Sequence, residues 1–148
     1  MSPFARRTAA VGVFVSLTLV PASPAAAEGG RPFTTSLTGA AEVNAQGVPN
    51  QGDPDGSGAA SVRINAGLRE VCWTITASGV DPITAAHIHV APPTAPGPIV
   101  VPLNPYSGGC TIIDRELALA IITSPGGYYV NVHNATYPAG ALRGQLSR

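Results

Sequence analysis

Two of the three histidines in this 148-residue chain fall in "TAAHIHVAPP", residues 84–93, and the third in "YYVNVHNATYPAG", residues 128–140. Imidazole suits zinc and copper, and three histidines with a water complete a workable site. A histidine between apolar neighbours also has a plainer use: one ring N–H donated to a carbonyl or side chain, and an acceptor at the other nitrogen. If both segments are strands, alternation puts His87 and His89 on one face, opposite Ala86, Ile88 and Val90. It likewise groups Tyr129, Asn131 and His133 against Tyr128, Val130 and Val132. Neighbouring or facing strands would bring the three rings together. The residues therefore predict a hydrogen-bonded histidine cluster with Asn131 and Arg143 as partners and no cofactor. A copper or zinc site at His87, His89 and His133 is the alternative.

Other candidates carry less chemistry. Asp53, Asp55 and Ser57 in "GDPDGSG" start like an oxygen-rich calcium loop. Such a loop needs about six to eight oxygens, and the next carboxylate, Glu70, lies beyond a predicted strand, so a turn is expected. Asn134-Ala135-Thr136 is a glycosylation sequon. Tyr106, Tyr128, Tyr129 and Tyr137 could form an aromatic platform for carbohydrate, though sheet packing explains them as well. Gly56-Ser57-Gly58 is not a hydrolase elbow, and there is no phosphate loop or dinucleotide fingerprint. No catalytic residue emerges.

The elements that must hold these residues are short. Strands are expected at Phe33–Thr38, at residues 59–65 and in "REVCWTITASGV". In the last two, Ala60, Val62 and Ile64, then Val71, Trp73 and Ile75, alternate with polar residues. A turn at Ala66-Gly67 makes them a hairpin. Residues 44–58 read as a long polar surface loop. "TAAHIHVAPP" and "GPIVVPL" follow, the second pushed to a sheet edge by Pro98 and Pro102; "CTIID" is a short extended piece. A helix is predicted after Asp114 as N-cap, with Leu117, Leu119, Ile121 and Ile122 on its apolar face and Ser124-Pro125 as its stop. "GYYVNVHN" and "ALRGQLS" close the set. Seven or eight strands with one short helix imply an all-β fold, an antiparallel two-layer β-sandwich or Greek-key barrel.

Residues 1–27 read as a secretory signal: Arg6-Arg7, an apolar run from Thr8 to Val20, Pro21, then Ala25-Ala26-Ala27. The run is shorter than the about 20 residues of a membrane span, and no later stretch could cross. The general and twin-arginine export routes both remain open. Cleavage after Ala27 leaves Glu28–Arg148 as one domain, with two more acidic than basic residues and no lysine. That balance excludes the basic footprint of a nucleic-acid binder. In an oxidising compartment, Cys72 and Cys110, the only cysteines, are expected to form a disulfide.

"LTGAAEV", "GDPDGSGAASVRI", "VCWTI", "AAHIHVAPPTAPGPIVVPL" and "PGGYYVNVHNATYPAGALRGQL" together resemble the chordin-type (CHRD) domain over roughly Phe33–Leu146. The closing signature is carried by Tyr129, Asn131, His133, Tyr137, Pro138, Gly140, Arg143, Gly144 and Leu146. Asn131, Tyr137, Arg143 and Gly144 serve as structural motif residues. The segment after His89 carries prolines where relatives more often have glycines. The resemblance implies an immunoglobulin-like or superoxide-dismutase-like sandwich in a secreted, non-enzymatic module that meets a protein or glycan at the cell surface. A dismutase of that type needs six histidines and an aspartate, and three histidines do not supply them.

Overall fold

Alternating small-apolar and polar residues build most of the strands. The computed structural model describes residues 29–148; the expected export signal, Arg6-Arg7 and the cleavage point after Ala27 lie outside the described residues. The strands are β1 (Arg31–Thr38), β2 (Ser57–Asn65), β3 (Glu70–Ser78), β4 (Ile83–Val90), β5 (Ile99–Pro102), β6 (Gly108–Ile112), β7 (Tyr128–Asn134) and β8 (Leu142–Gln145). Among the described residues one α-helix, α1 (Arg115–Thr123), precedes β7. The sheet runs β5-β4-β7-β8-β1-β2-β3-β6, every pair antiparallel.

That order divides into two four-stranded halves joined along β8 and β1. The seam is thin: Thr38 opposite Arg143, and an isolated bridge between Thr34 and Ser147. A side chain at Gly144 would collide with the Ser36 carbonyl at 2.2 Å, so glycine lets β8 approach β1. Val62 and Trp73 on one half share a single apolar cluster with Ile88 and Val130 on the other. The sheet therefore curls around one core, and the crossings β3→β4, β5→β6 and β6→β7 pass between the halves. This is the expected all-β sandwich, drawn as one curled half-barrel sheet. Each fully buried Val, Leu or Ile contributes roughly 1.5–3 kcal/mol by leaving water.

Cys72 and Cys110 face one another in the β3–β6 register and are disulfide-bonded. The bridge fastens β6, whose only paired neighbour is β3. Trp73 is core, its indole N–H donating to the Pro105 carbonyl at 3.0 Å. As expected from its prolines, β5 is the other edge.

The helix departs from expectation in its face. Ala118 and Ile121 are buried, with Leu117 and Ile122 packed beside them, while Leu119 is exposed. At about 100° per residue, a stripe centred on Ala118 and Ile121 turns residue 119 away from the core. Asp114 holds the N-cap position but does not cap; its carboxylate reaches the Arg69 guanidinium at 3.3 Å. That exposed pair is worth at most about 1 kcal/mol. Among the described residues, no helix is long and apolar enough to cross a membrane.

Candidate functional site

On β4 and β7, one face is core and the other carries the chemistry. The register sets Ala85 opposite His133, His87 opposite Asn131, and His89 opposite Tyr129. Arg143 on β8 continues the row beyond Asn131, and Gln145 the row beyond Tyr129. The three histidines thus share a face, as alternation requires, with Asn131 at the middle of the grid. Such a face is normally wet, yet β7 is buried along nearly its whole length. Two loops cover it. Residues 39–53 fold back through bonds from Gln51 N–H to the Glu42 carbonyl and from Asp53 N–H to the Ala141 carbonyl. The loop between β4 and β5 is held to β8: Arg143 donates to the Pro92 and Ala95 carbonyls at 2.9 and 3.1 Å, and Gln145 to the Ala91 carbonyl at 2.6 Å.

Hydrogen bonds fix the tautomers of two rings. Carbonyls only accept, so His89 Nδ1 carries its proton toward Gly97 O at 2.8 Å, and His133 Nδ1 carries its proton toward Pro138 O at 3.1 Å. In the neutral rings each Nε2 is left as a lone pair. His133 Nε2 lies 3.0 Å from His87 Nδ1 and 2.9 Å from Asn131 Oδ1. His89 Nε2 is buried with no hydrogen-bond partner. One nitrogen from each ring lies within 4.8 Å of the other two. Bonds of about 2.0 Å to a tetrahedral ion imply donor separations of about 3.3 Å, a spacing that the 3.0 Å between His87 Nδ1 and His133 Nε2 already approaches.

The surroundings keep these imidazoles neutral. Burial, with the charges His133 and His89 would carry, lowers the His87 pKa to about 4. Burial also lowers His89, against the opposing pull of the Gly97 carbonyl and the Asn131 side chain; Arg143 adds to the lowering. His133 is lowered by burial, with the Pro138 carbonyl working against it. Neutral imidazoles whose far N–H groups are tied to carbonyls are the usual state of metal-binding histidines, because that bond fixes tautomer and ring orientation. The donor set, the second-layer carbonyls and the orphaned Nε2 all fit copper or zinc.

Around this centre lies a second ring of contacts. Tyr129 stacks on His89 at 4.8 Å with planes 7° apart, and its hydroxyl accepts the Gly97 N–H at 3.2 Å. The Arg143 guanidinium sits 3.5 Å from the Tyr129 ring centroid. Arg143 makes no bond to a histidine; it ties the covering loop to the sheet and leaves Nη1 unpaired. Glu42, only 5% exposed, accepts from Asn131 Nδ2 at 3.3 Å. Burial raises its pKa, against the lowering effects of Asn131 and Arg143.

Other sequence candidates fare differently. The sequon residue Asn134 is buried, its side-chain oxygen accepting the Tyr137 N–H at 2.7 Å, so it offers nothing to a glycosylating enzyme. Tyr137 is half-buried over that turn. The four tyrosines form no platform: Tyr128 and Tyr129 point to opposite faces, Tyr128 into the core. Asp53 accepts the Asp55 N–H at 3.2 Å, closing a turn. Glu42 and Gly97 carried no signal in the sequence, since their roles arise only when the two loops fold over β7.

Comparison with curated proteins and with solved structures returns no match. The CHRD domain model matches residues 33–146, nearly all of the described chain, and the protein belongs to the CHRD domain family.

Proposed function

We propose that the protein is a secreted, non-enzymatic binding module whose ligand is a copper or zinc ion held by His87 Nδ1, His89 Nε2 and His133 Nε2. The observation that carries this reading is the buried His89 Nε2, which has no hydrogen-bond partner, on a ring that offers a nitrogen within 4.8 Å of one from each of the other two histidines. Leaving such an acceptor unsatisfied costs about 1–3 kcal/mol, and the cost disappears when the lone pair coordinates an ion. His133 Nε2 points the same way, its proton likewise committed to a carbonyl. The disulfide between Cys72 and Cys110 supports an oxidising compartment and leaves no thiolate to compete for the ion.

The test uses the untagged chain without its signal segment, stripped with chelator and titrated separately with copper(II) and zinc(II) by calorimetry. One ion per chain is expected, with uptake abolished in His89→Ala and the fold retained. A fully folded protein that takes up neither ion at stoichiometric concentration would overturn the reading. The relative affinity in the two titrations identifies the ion.

A further inference from the structure

We infer that the side-chain oxygen of Asn131 is the fourth ligand of this centre, which makes it a closed three-nitrogen, one-oxygen site with Glu42 as the residue that positions the amide. This rests on the three-histidine reading and extends it to coordination number and to the exclusion of exogenous ligands.

Geometry carries the inference. Asn131 lies directly across from His87 and two residues before His133 on the same strand face. An ion reached by histidines on both strands therefore sits over the amide. Asn131 is 2% exposed, so solvent does not satisfy its oxygen. That oxygen is 2.9 Å from His133 Nε2, a nitrogen whose proton resides on the other side of the ring, facing Pro138. Two lone pairs thus oppose each other at hydrogen-bond distance. A cation between them converts that repulsion into two bonds.

The amide orientation has its own cause. Nδ2 donates to the Glu42 carboxylate at 3.3 Å. Turning the amide over would lose that bond and bring Oδ1 against the Glu42 acceptor oxygen, so Glu42 directs Oδ1 toward the histidines. Glu42 also offsets the positive charge of Arg143 near the cluster. Structural metal sites use four protein ligands, whereas catalytic ones leave a position for water or substrate. With Asn131 bound, no position is open, which fits a module that holds an ion and performs no reaction on it.

Cobalt(II) serves as a spectroscopic probe, with azide as the competing exogenous ligand. Wild type is expected to give the intense visible bands of four-coordinate cobalt, unchanged by azide. Asn131→Ala should still bind cobalt through the histidines, about tenfold more weakly, and its bands should shift on azide addition. Glu42→Gln, which can accept or donate and so no longer fixes the amide, should weaken binding in the same direction. Wild-type cobalt bands that shift with azide would overturn the inference while leaving the three-histidine site intact. Loss of all cobalt binding in folded wild type would overturn both. If Asn131→Ala does not fold, the wild-type azide titration alone decides.

Discussion

Replacing Cys72 and Cys110 together by serine should lower the unfolding free energy of the apoprotein by about 4 kcal/mol. The two cysteines are separated by 38 residues in sequence. In the chain-entropy treatment, freeing a loop of that length returns about 13 cal/mol/K to the unfolded chain, or about 4 kcal/mol at 25 °C. Unfolding a domain of this size carries roughly 2.1 cal/mol/K per residue, so the midpoint should fall by roughly 15 °C. Two features of the fold separate an effect on the unfolded chain from damage to the folded one. β6 pairs only with β3, and Trp73 lies opposite Gly109 of β6 while its indole N–H bonds to Pro105 in the segment just before that strand. If β6 stays docked, native tryptophan fluorescence is unchanged and the denaturant slope rises, because the unfolded chain is freer to expand. The assay is urea denaturation followed by Trp73 fluorescence and far-ultraviolet circular dichroism on both proteins. A loss under about 1 kcal/mol with an unchanged slope would refute the loop-closure argument. A shifted native spectrum would instead show that the bridge holds β6 in place.

The other predictions concern the site. Apoprotein stability should decline as pH falls from 7 toward 5. The folded state holds His87 at about 4, with His89 and His133 also lowered, while the unfolded chain takes up protons near 6.5. The contribution is therefore complete above the unfolded pKa and is lost as pH drops through the folded ones. His87→Ala should flatten this decline, as read from urea midpoints at pH 7, 6 and 5. Gly97→Ala should destabilise by about 2–3 kcal/mol, since its added carbon would meet the Val90 carbonyl at 2.0 Å; by displacing the carbonyl that fixes the His89 tautomer, it should also weaken metal uptake in calorimetry.

Much of the fold was legible because its signals are local. Alternation in residues 59–65 and 70–76 placed Val62, Ile64, Val71 and Trp73 inside, and Pro98 and Pro102 marked an edge. The shared face of His87, His89 and His133 followed from the same two-residue period. Features that depend on distant segments were not legible. Glu42 reads as an ordinary acidic residue in a loop, and becomes buried because the chain after β1 folds over β7. Asn134 reads as a surface sequon, yet it faces inward to close the turn before β8. The expected bond from Arg143 to the histidines fails for a related reason: carbonyls of the β4–β5 loop reach its guanidinium instead. In the helix, nine residues with apolar side chains on several sides left the buried face to be decided by where the curled sheet meets it, and Leu119 lost.

The covering loop between β4 and β5 contains Pro92, Pro93, Pro96 and Pro98. Each fixes a backbone angle before folding and removes about 0.4–1 kcal/mol of unfolded-state freedom where the native shape accepts it. The carbonyls that orient His89 and anchor Arg143 are thus mounted on a segment with little slack. A cluster walled in this way is set at folding rather than at ligand arrival, so the empty and loaded forms should superimpose closely. Capture then becomes a matter of an ion finding its way in, with no segment left to organise around it.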